Sequence, residues 1–501
     1  MQGCKSFEEK LFYTFSLSDR IPENNFYRRL KSILDLSFIR KYTIHYYGKE
    51  GQSSIDPVVF FKLMLIGYME NIVSDRKIVE QASMRMDMLY FLNYNIDEPL
   101  PWHSTLSRTR KLYGEELFLK VFNHILELCV HAGMVDGKIQ AIDSAFVKAN
   151  ASMHSLRNVK LASQKYYKRL NDAEEQESQD VHSCAYPAAS HDPRRQSNNI
   201  HVSRTDPDAK LSTKHGRPIT LNYLAQISVD VSSHIICGAL GIYANIKDSR
   251  CLPYILRQTI ENLSRNEIEI KKVLADTNYS SGESLKYLEN NGIVGYIPCT
   301  NNYKPTREGF VYNAENDYYV CQMNKKIIFR YIHKAGNSQK EARIYRSSVE
   351  DCKECPLRNQ CIKSKSQNAK ELSTTVDRPY YDRAYERVHS SIGRKMKKLR
   401  SSTVEPVLGT LLDYRAMRRV RTRGIGLANK HVVLAAMAYN LKKLMKHKYY
   451  KPVIEVAIAT NNLQKHINWL LREKLWMSVQ YIVLLVHKTD NSDTYIHWRY
   501  N

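Results

Sequence analysis

The sequence is short of cysteine, of acids and of long apolar runs. Ten cysteines in 501 residues do not make a disulfide scaffold, and seven of them stand singly; only Cys352, Cys355 and Cys361 cluster. No apolar run approaches the ~18 residues of a membrane span, and the best, Val432 to Tyr439, is far too short. The N-terminal MQGCKSFEEK lacks the apolar core of a secretory signal. No internal repeat is visible. These absences lead us to expect a soluble, intracellular protein. Acids number 51 against 75 Lys and Arg, a formal charge of +24 that points to a polyanionic partner, nucleic acid first. What is present, 43% apolar and 10% aromatic residues, suffices for real cores. The length allows two to four domains.

Residues 1–135 read as helical. Asp56-Pro57 is a helix start, with an acidic N-cap and proline at the first helical position, and the apolar run Val58 to Val73 follows. A second start lies at His103-Ser104-Thr105, after Pro99 and Pro101. From Glu115, Leu117, Val121, Ile125 and Leu128 recur at helical spacing as far as Gly133. At Lys138 the period changes to two. Ile139, Ala141, Asp143, Ala145 and Val147 alternate with Gln140, Ile142, Ser144 and Phe146, which predicts a strand. Strand patterns return at Leu221–Asp230, His234–Leu240, Lys271–Ala275 and Ile293–Ile297, with helices near Cys251–Leu263 and Ser281–Asn290. The order β-β-β-α-β-α-β predicts an α/β core built on a mixed sheet.

Four further segments complete the expected domain plan. A polar stretch at about 154–205, most marked from Asn171 to Asn199, reads as a mobile insertion. Residues 300–370, rich in Tyr and β-branched residues with Asn and Gly turns, read as a β-rich insertion that splits the core into 136–299 and 371–450. Helical pattern resumes near Arg383 and runs to Lys446, and the tail 451–501 carries no readable motif.

Asp143 lies inside an apolar strand, Asp276 ends the strand VLAD, and Glu405 sits in STVEPVLG within a very basic stretch. A carboxylate in a strand face is costly to bury unless paired or metal-bound, and strand C-terminal ends are where sheet proteins place ligand chemistry. Three such carboxylates suit two Mg²⁺ ions, which take oxygen ligands and keep open water positions. On spacing alone Asp206, Asp208, Asp230 and Asp248 are equally good candidates, and a lone Asp at a strand end is often only a cap.

Resemblance narrows the choice. The segments GKIQAIDSAFVKANAS, KKVLADTNYSSGESLKYLENNGIVGYIP and RSSTVEPVLGTLLDYRAMRRVRTRGIGLANKHVVLAAMAYNLKKL resemble the three acidic-triad blocks of bacterial insertion-sequence transposases of the DDE class. PWHSTLSRTRKLYGEELF resembles their N-terminal, InsH-like domain, and DPDAKLSTKHGRPITLNYLAQISVD their second and third strands. The resemblance spans roughly residues 50–445, in family order. It implies a ribonuclease H-like catalytic core behind an all-α DNA-end-binding domain, and Asp143, Asp276 and Glu405 as the catalytic acids and ligands of two Mg²⁺ (or Mn²⁺). It further implies double-stranded DNA as partner, a homodimer or higher oligomer on DNA, and a cytoplasmic, nucleoid-associated location. Cleavage at transposon ends and strand transfer into target DNA would be the activity, and a catalytically silent DNA-binding relative is the alternative. One departure stands out. Many relatives carry Tyr-x2-Arg-x3-Glu-x6-Lys around the glutamate. Here Ser401 lies four before Glu405, with Arg400 one residue earlier, and Leu412 lies seven after it. The lysine that contacts the DNA end is missing, with Arg400, Arg415 or Arg418 as substitutes.

Charge is unevenly spread. Residues 1–137 hold 17 basic and 17 acidic side chains, whereas 383–450 hold 17 basic against three acidic. Arg394, Lys395, Lys397, Lys398 and Arg400 are therefore expected to follow the phosphate backbone. Ser104, Thr105, Arg108 and Arg110 of the helical arm are expected to read the ends. Cys352-x2-Cys355-x5-Cys361, with Cys321 as a fourth thiolate, has the close pair of a structural Zn²⁺ knuckle; buried, redox-inert thiols explain the same spacing equally well.

Overall fold

The computed structural model describes residues 14–48, 50, 54–158, 197–213, 216, 218–300, 303–334, 341–364 and 366–449. Met1–Lys442 form one compact unit and Lys443–Asn501 a second, of which residues 443–449 are helical. The expected tail 451–501 and the middle of the polar stretch, 159–196, lie outside the described residues.

The N-terminal helices follow the capping and spacing signals. Helix α1 is Phe26–Ile33 and α2 is Pro57–Met69. Asp56 caps α2 by accepting the Val58 amide at 2.9 Å. Helix α2 is apolar all round except for Lys62, which donates to the Phe91 carbonyl at 2.6 Å, and is almost wholly buried, as the centre of a bundle must be. Around it come α3 (Asp75–Met84), α4 (Met86–Leu92), α5 (His103–Leu112) and α6 (Glu115–His131). Phe60 and Phe61 of α2 meet the rings of Tyr113 and Phe118. Leu117, Val121 and Ile125 form the buried stripe of α6.

The central sheet has six strands: β1 (Ile139–Lys148), β2 (Thr220–Asp230), β3 (Ile236–Tyr243), β4 (Lys272–Leu274), β5 (Val294–Tyr296) and the short Lys210–Ser212, which pairs antiparallel with the start of β2. The order of β1 to β5 is β3-β2-β1-β4-β5: β1, β2 and β3 are antiparallel neighbours, and β4 and β5 add in parallel. The parallel strands require crossovers, supplied by α7 (Asp248–Ser264) and α8 (Gly282–Asn290). This is the ribonuclease H-like arrangement expected from the sequence. Strand β2 is buried along nearly its whole length, as a strand covered on both faces must be.

Leu156–Asn158 pairs antiparallel with His201–Ser203, so the polar stretch expected to be mobile is flanked by a short two-stranded ribbon. The β-rich insertion is a second, antiparallel sheet of β6 (Phe310–Asn313), β7 (Tyr318–Cys321), β8 (Lys326–Lys334), β9 (Glu341–Arg346) and β10 (Glu371–Thr375), closed over Tyr319, Ile327, Tyr345 and Leu372. Its last strand lies past residue 370. Helices α9 (Arg378–His389), α10 (Ser391–Tyr414) and α11 (residues 425–442) follow. No described helix is long and apolar enough to cross a membrane.

Candidate active site

The parallel register of β1 and β4 sets the first two acids. Ala141 lies opposite Leu274, so Asp143 and Asp276, each two residues further on, reach the same level of adjacent strands. Asp276 has just left the strand. Its Oδ1 accepts the Asn278 amide at 2.6 Å and caps the short turn Thr277–Tyr279, so it is both a strand-end acid and a cap. Glu405 comes from α10, which buries Val404, Val407, Leu408 and Leu411 and packs against β1. That stripe leaves the Glu405 side chain 56% exposed beside the sheet.

One side chain joins two of these elements, β1 and α10. Arg400 donates from Nη1 to Asp143 Oδ2 at 3.0 Å, across 257 residues of sequence, and from Nη2 to Glu405 Oε1 at 3.0 Å. Asp143 Oδ1 accepts the Ser144 amide at 2.8 Å. Burial pushes the Asp143 carboxyl above the usual carboxylate range; the Ser144 amide and Arg400 oppose this, and the charge of Asp276 adds to it. A cleft of about 220 Å³ opens beside Asp276, lined also by Ala275, Thr277, Tyr296, Lys397 and Arg400. A larger cavity of about 280 Å³, lined by Tyr68, Asp75, Arg110, Arg421 and His431, shares no residue with it.

The rival carboxylates have structural partners. Asp206 accepts the Tyr223 hydroxyl at 2.7 Å and the Gly424 amide at 3.1 Å, and Asp208 accepts the Ile425 amide at 2.9 Å, so together they satisfy donors at the start of α11. Asp230 accepts the amides of Gly137 and Ser233 at 2.8 and 3.1 Å, and Asp248 accepts from Gln226 at 2.7 Å.

Of the basic candidates, Arg394, Lys395, Lys397 and Lys398 are exposed on α10. Arg418 is paired with Asp413, and half-buried Arg415 donates to the Met69 carbonyl at 3.5 Å. On α5, Ser104 accepts from exposed Arg108 at 3.4 Å, and Thr105 is half-buried. Arg110 faces inward, held by both oxygens of Asp75 at 2.6 and 3.0 Å.

Two features escape sequence reading. Arg400 was expected to meet DNA, and its double pairing has no local signature beyond its five-residue distance from Glu405. The segment Arg418–Val420 adds to the end of β1: Lys148 donates its amide to the Arg418 carbonyl at 3.1 Å and accepts that of Val420 at 2.9 Å. This brings an arginine-rich stretch to the strand that carries Asp143.

Cys321, Cys352, Cys355 and Cys361 are free and half-buried. Burial pushes the Cys361 thiol up; Lys370 lowers it and the other three thiols raise it further. Among the described residues no three His, Cys, Asp or Glu side chains close into a metal-binding group, so the expected zinc knuckle has no formed site. The acids are likewise not drawn together, since a guanidinium lies between two of them. Their donor set, all carboxylate oxygen on a sheet edge, suits Mg²⁺ or Mn²⁺.

Residues 15–112 match the family model described as a transposase domain of unknown function (DUF772), and residues 320–445 match the model of a transposase DDE domain. The second match contains Glu405; Asp143 and Asp276 lie outside both. No curated protein matches the chain. Among solved structures, the Mos1 mariner paired end complex with Mn is 10% identical at a TM-score of 0.16, over 52% of this chain and 64% of that one. The Mos1 transposase paired-end complex with left transposon end is 11% identical at 0.16, over 54% and 67%. Scores so low establish no structural correspondence, and the chain spans under two thirds of the first of these. The two matched domains, in order around a ribonuclease H-like sheet, are those of a DDE-class transposase.

Proposed function

We propose that this DNA transposase cuts at the ends of its element and joins them to target DNA, using Asp143, Asp276 and Glu405 as the acids of a divalent-metal site. The supporting observation is the place of Arg400, which ties Asp143 of β1 to Glu405 of α10 and lines the same cleft as Asp276 at the end of β4. An ion bound by these carboxylates would polarise the scissile phosphate and acidify an attacking water. The protein supplies the carboxylate ligands and a duplex-binding surface that enforces in-line geometry. Water attacks a phosphodiester at the element end and frees a 3′-hydroxyl, which then attacks a target phosphodiester. The exposed Arg394, Lys395, Lys397 and Lys398 hold the phosphate backbone beside the acids. Two ends are paired in a homodimer or larger assembly. The test incubates the protein with duplexes bearing the terminal repeats, Mg²⁺ and a target plasmid. Joined products support the proposal. Cleavage without joining indicates a nuclease, and retention alone indicates a silent DNA-binding relative.

A further inference from the structure

Arg400 differs from its neighbours on α10. Arg394, Lys395, Lys397 and Lys398 are exposed, whereas the Arg400 side chain is only 14% exposed, with its guanidinium turned onto the sheet. Its planar fork meets Asp143 on one nitrogen and Glu405 on the other, both at 3.0 Å, and the second nitrogen also reaches Ser401 Oγ at 3.3 Å. Asp143 is itself 18% exposed and feels the charge of Asp276. Without a cation between them, carboxylates so placed repel one another and lose hydration. A guanidinium is suited to this position, because it is always charged and offers two donors in a fixed plane.

Resting on the triad reading above, we infer that Arg400 is the internal counter-ion of the metal-free site. It holds Asp143 and Glu405 in register, and a divalent ion must displace it from both before those oxygens become ligands. Arg400 is thus a positioning residue that competes with the metal. Once displaced, its fork stays tethered beside the acids and is available to a phosphate oxygen of the bound strand. An arginine serving only as a DNA contact would leave metal binding unchanged, and one that helped to build the ion site would strengthen metal binding. A competitor weakens it.

The experiment is calorimetric titration of EDTA-stripped full-length protein with Mn²⁺, paired with thermal melts in EDTA and in saturating Mn²⁺. Arg400→Gln should bind Mn²⁺ roughly tenfold more tightly than the unaltered chain, because two ion pairs no longer have to be broken. It should also melt lower in EDTA and recover in Mn²⁺. Arg400→Lys, which keeps the charge without the fork, should fall between, and it decides the matter if Arg400→Gln does not fold. Equal or weaker Mn²⁺ binding by the folded variant, with binding still lost in Glu405→Gln, overturns the inference alone. Absence of any Mn²⁺ binding that Glu405→Gln abolishes overturns the triad reading, and the inference with it.

Discussion

Arg110 offers the sharpest test of structure against sequence, since the sequence places it among DNA contacts and the structure buries it. It lies in the last turn of α5, 11% exposed, with both guanidinium nitrogens on the Asp75 carboxylate and Nη2 2.9 Å from Met64 Sδ. Asp75 opens α3 and is 22% exposed. Removing one partner of such a pair strands the other charge, at a cost of about 3–5 kcal/mol when burial is complete. Arg110→Met keeps contact with Met64 and leaves Asp75 partly hydrated at a helix N-terminus that favours it, so we expect the low end, about 3 kcal/mol. Spread over a unit of this size, that lowers Tm by about 3 °C. Asp75→Leu alone leaves a more deeply buried cation and should cost more, and Asp75→Leu with Arg110→Met should recover much of the loss. The assay pairs thermal melts with DNA binding over a salt series. A residue that neutralises a phosphate takes about 0.9 off the slope of log K against log salt when removed; Arg110→Met should leave that slope unchanged. Unaltered Tm with a shallower salt slope would refute the structural assignment and restore Arg110 to the DNA interface.

Asp143→Ala, Asp276→Ala and Glu405→Ala should each abolish Mg²⁺-dependent end cleavage while retaining duplex binding in a mobility-shift assay; normal cleavage by any one of them removes that residue from the triad. Gly393→Ala should destabilise the protein by about 1–3 kcal/mol and reduce cleavage. A Cβ there would sit 2.2 Å from the Arg387 carbonyl oxygen and 2.4 Å from that of Val388, displacing the start of α10 and with it Arg400. Acid should weaken the fold through His431, whose burial against Tyr68 holds its pKa down at about 4. The unfolded chain takes up that proton first, so the stability is intact above about pH 6.5 and falls by about 3 kcal/mol as pH drops to 4. Chemical denaturation of His431→Gln across that range should show a flatter profile.

The sequence reveals what depends on local period. Five of the six strands of the core sheet and both crossover helices are legible because each is an apolar pattern with its own turn residues, and the strand order β3-β2-β1-β4-β5 realises that pattern; the sixth, Lys210–Ser212, is not. The paired ribbon of Leu156–Asn158 and His201–Ser203 is not legible. These short strands, LRN and HVS, are mostly polar and carry no apolar pattern, and their partner is fixed by tertiary contact across a polar stretch. The final strand of the insertion, Glu371–Thr375, placed by the sequence in the second half of the core, escapes for a similar reason: its side chains are polar apart from Leu372, which packs with Tyr345. Among the acids, pattern alone does not separate Asp143 and Asp276 from Asp206 and Asp230. The distinction lies in what each oxygen accepts. Asp206 takes a tyrosine hydroxyl and a backbone amide, and Asp230 takes backbone amides. Asp143 instead turns one oxygen to a charged side chain from a distant helix. A carboxylate held by neutral donors has no cation to exchange, whereas one held by a removable cation keeps an oxygen that another cation can claim. The functional acid is identified by its partner, and that partner, Arg400, lies on a helix whose sequence shows only an excess of positive charge.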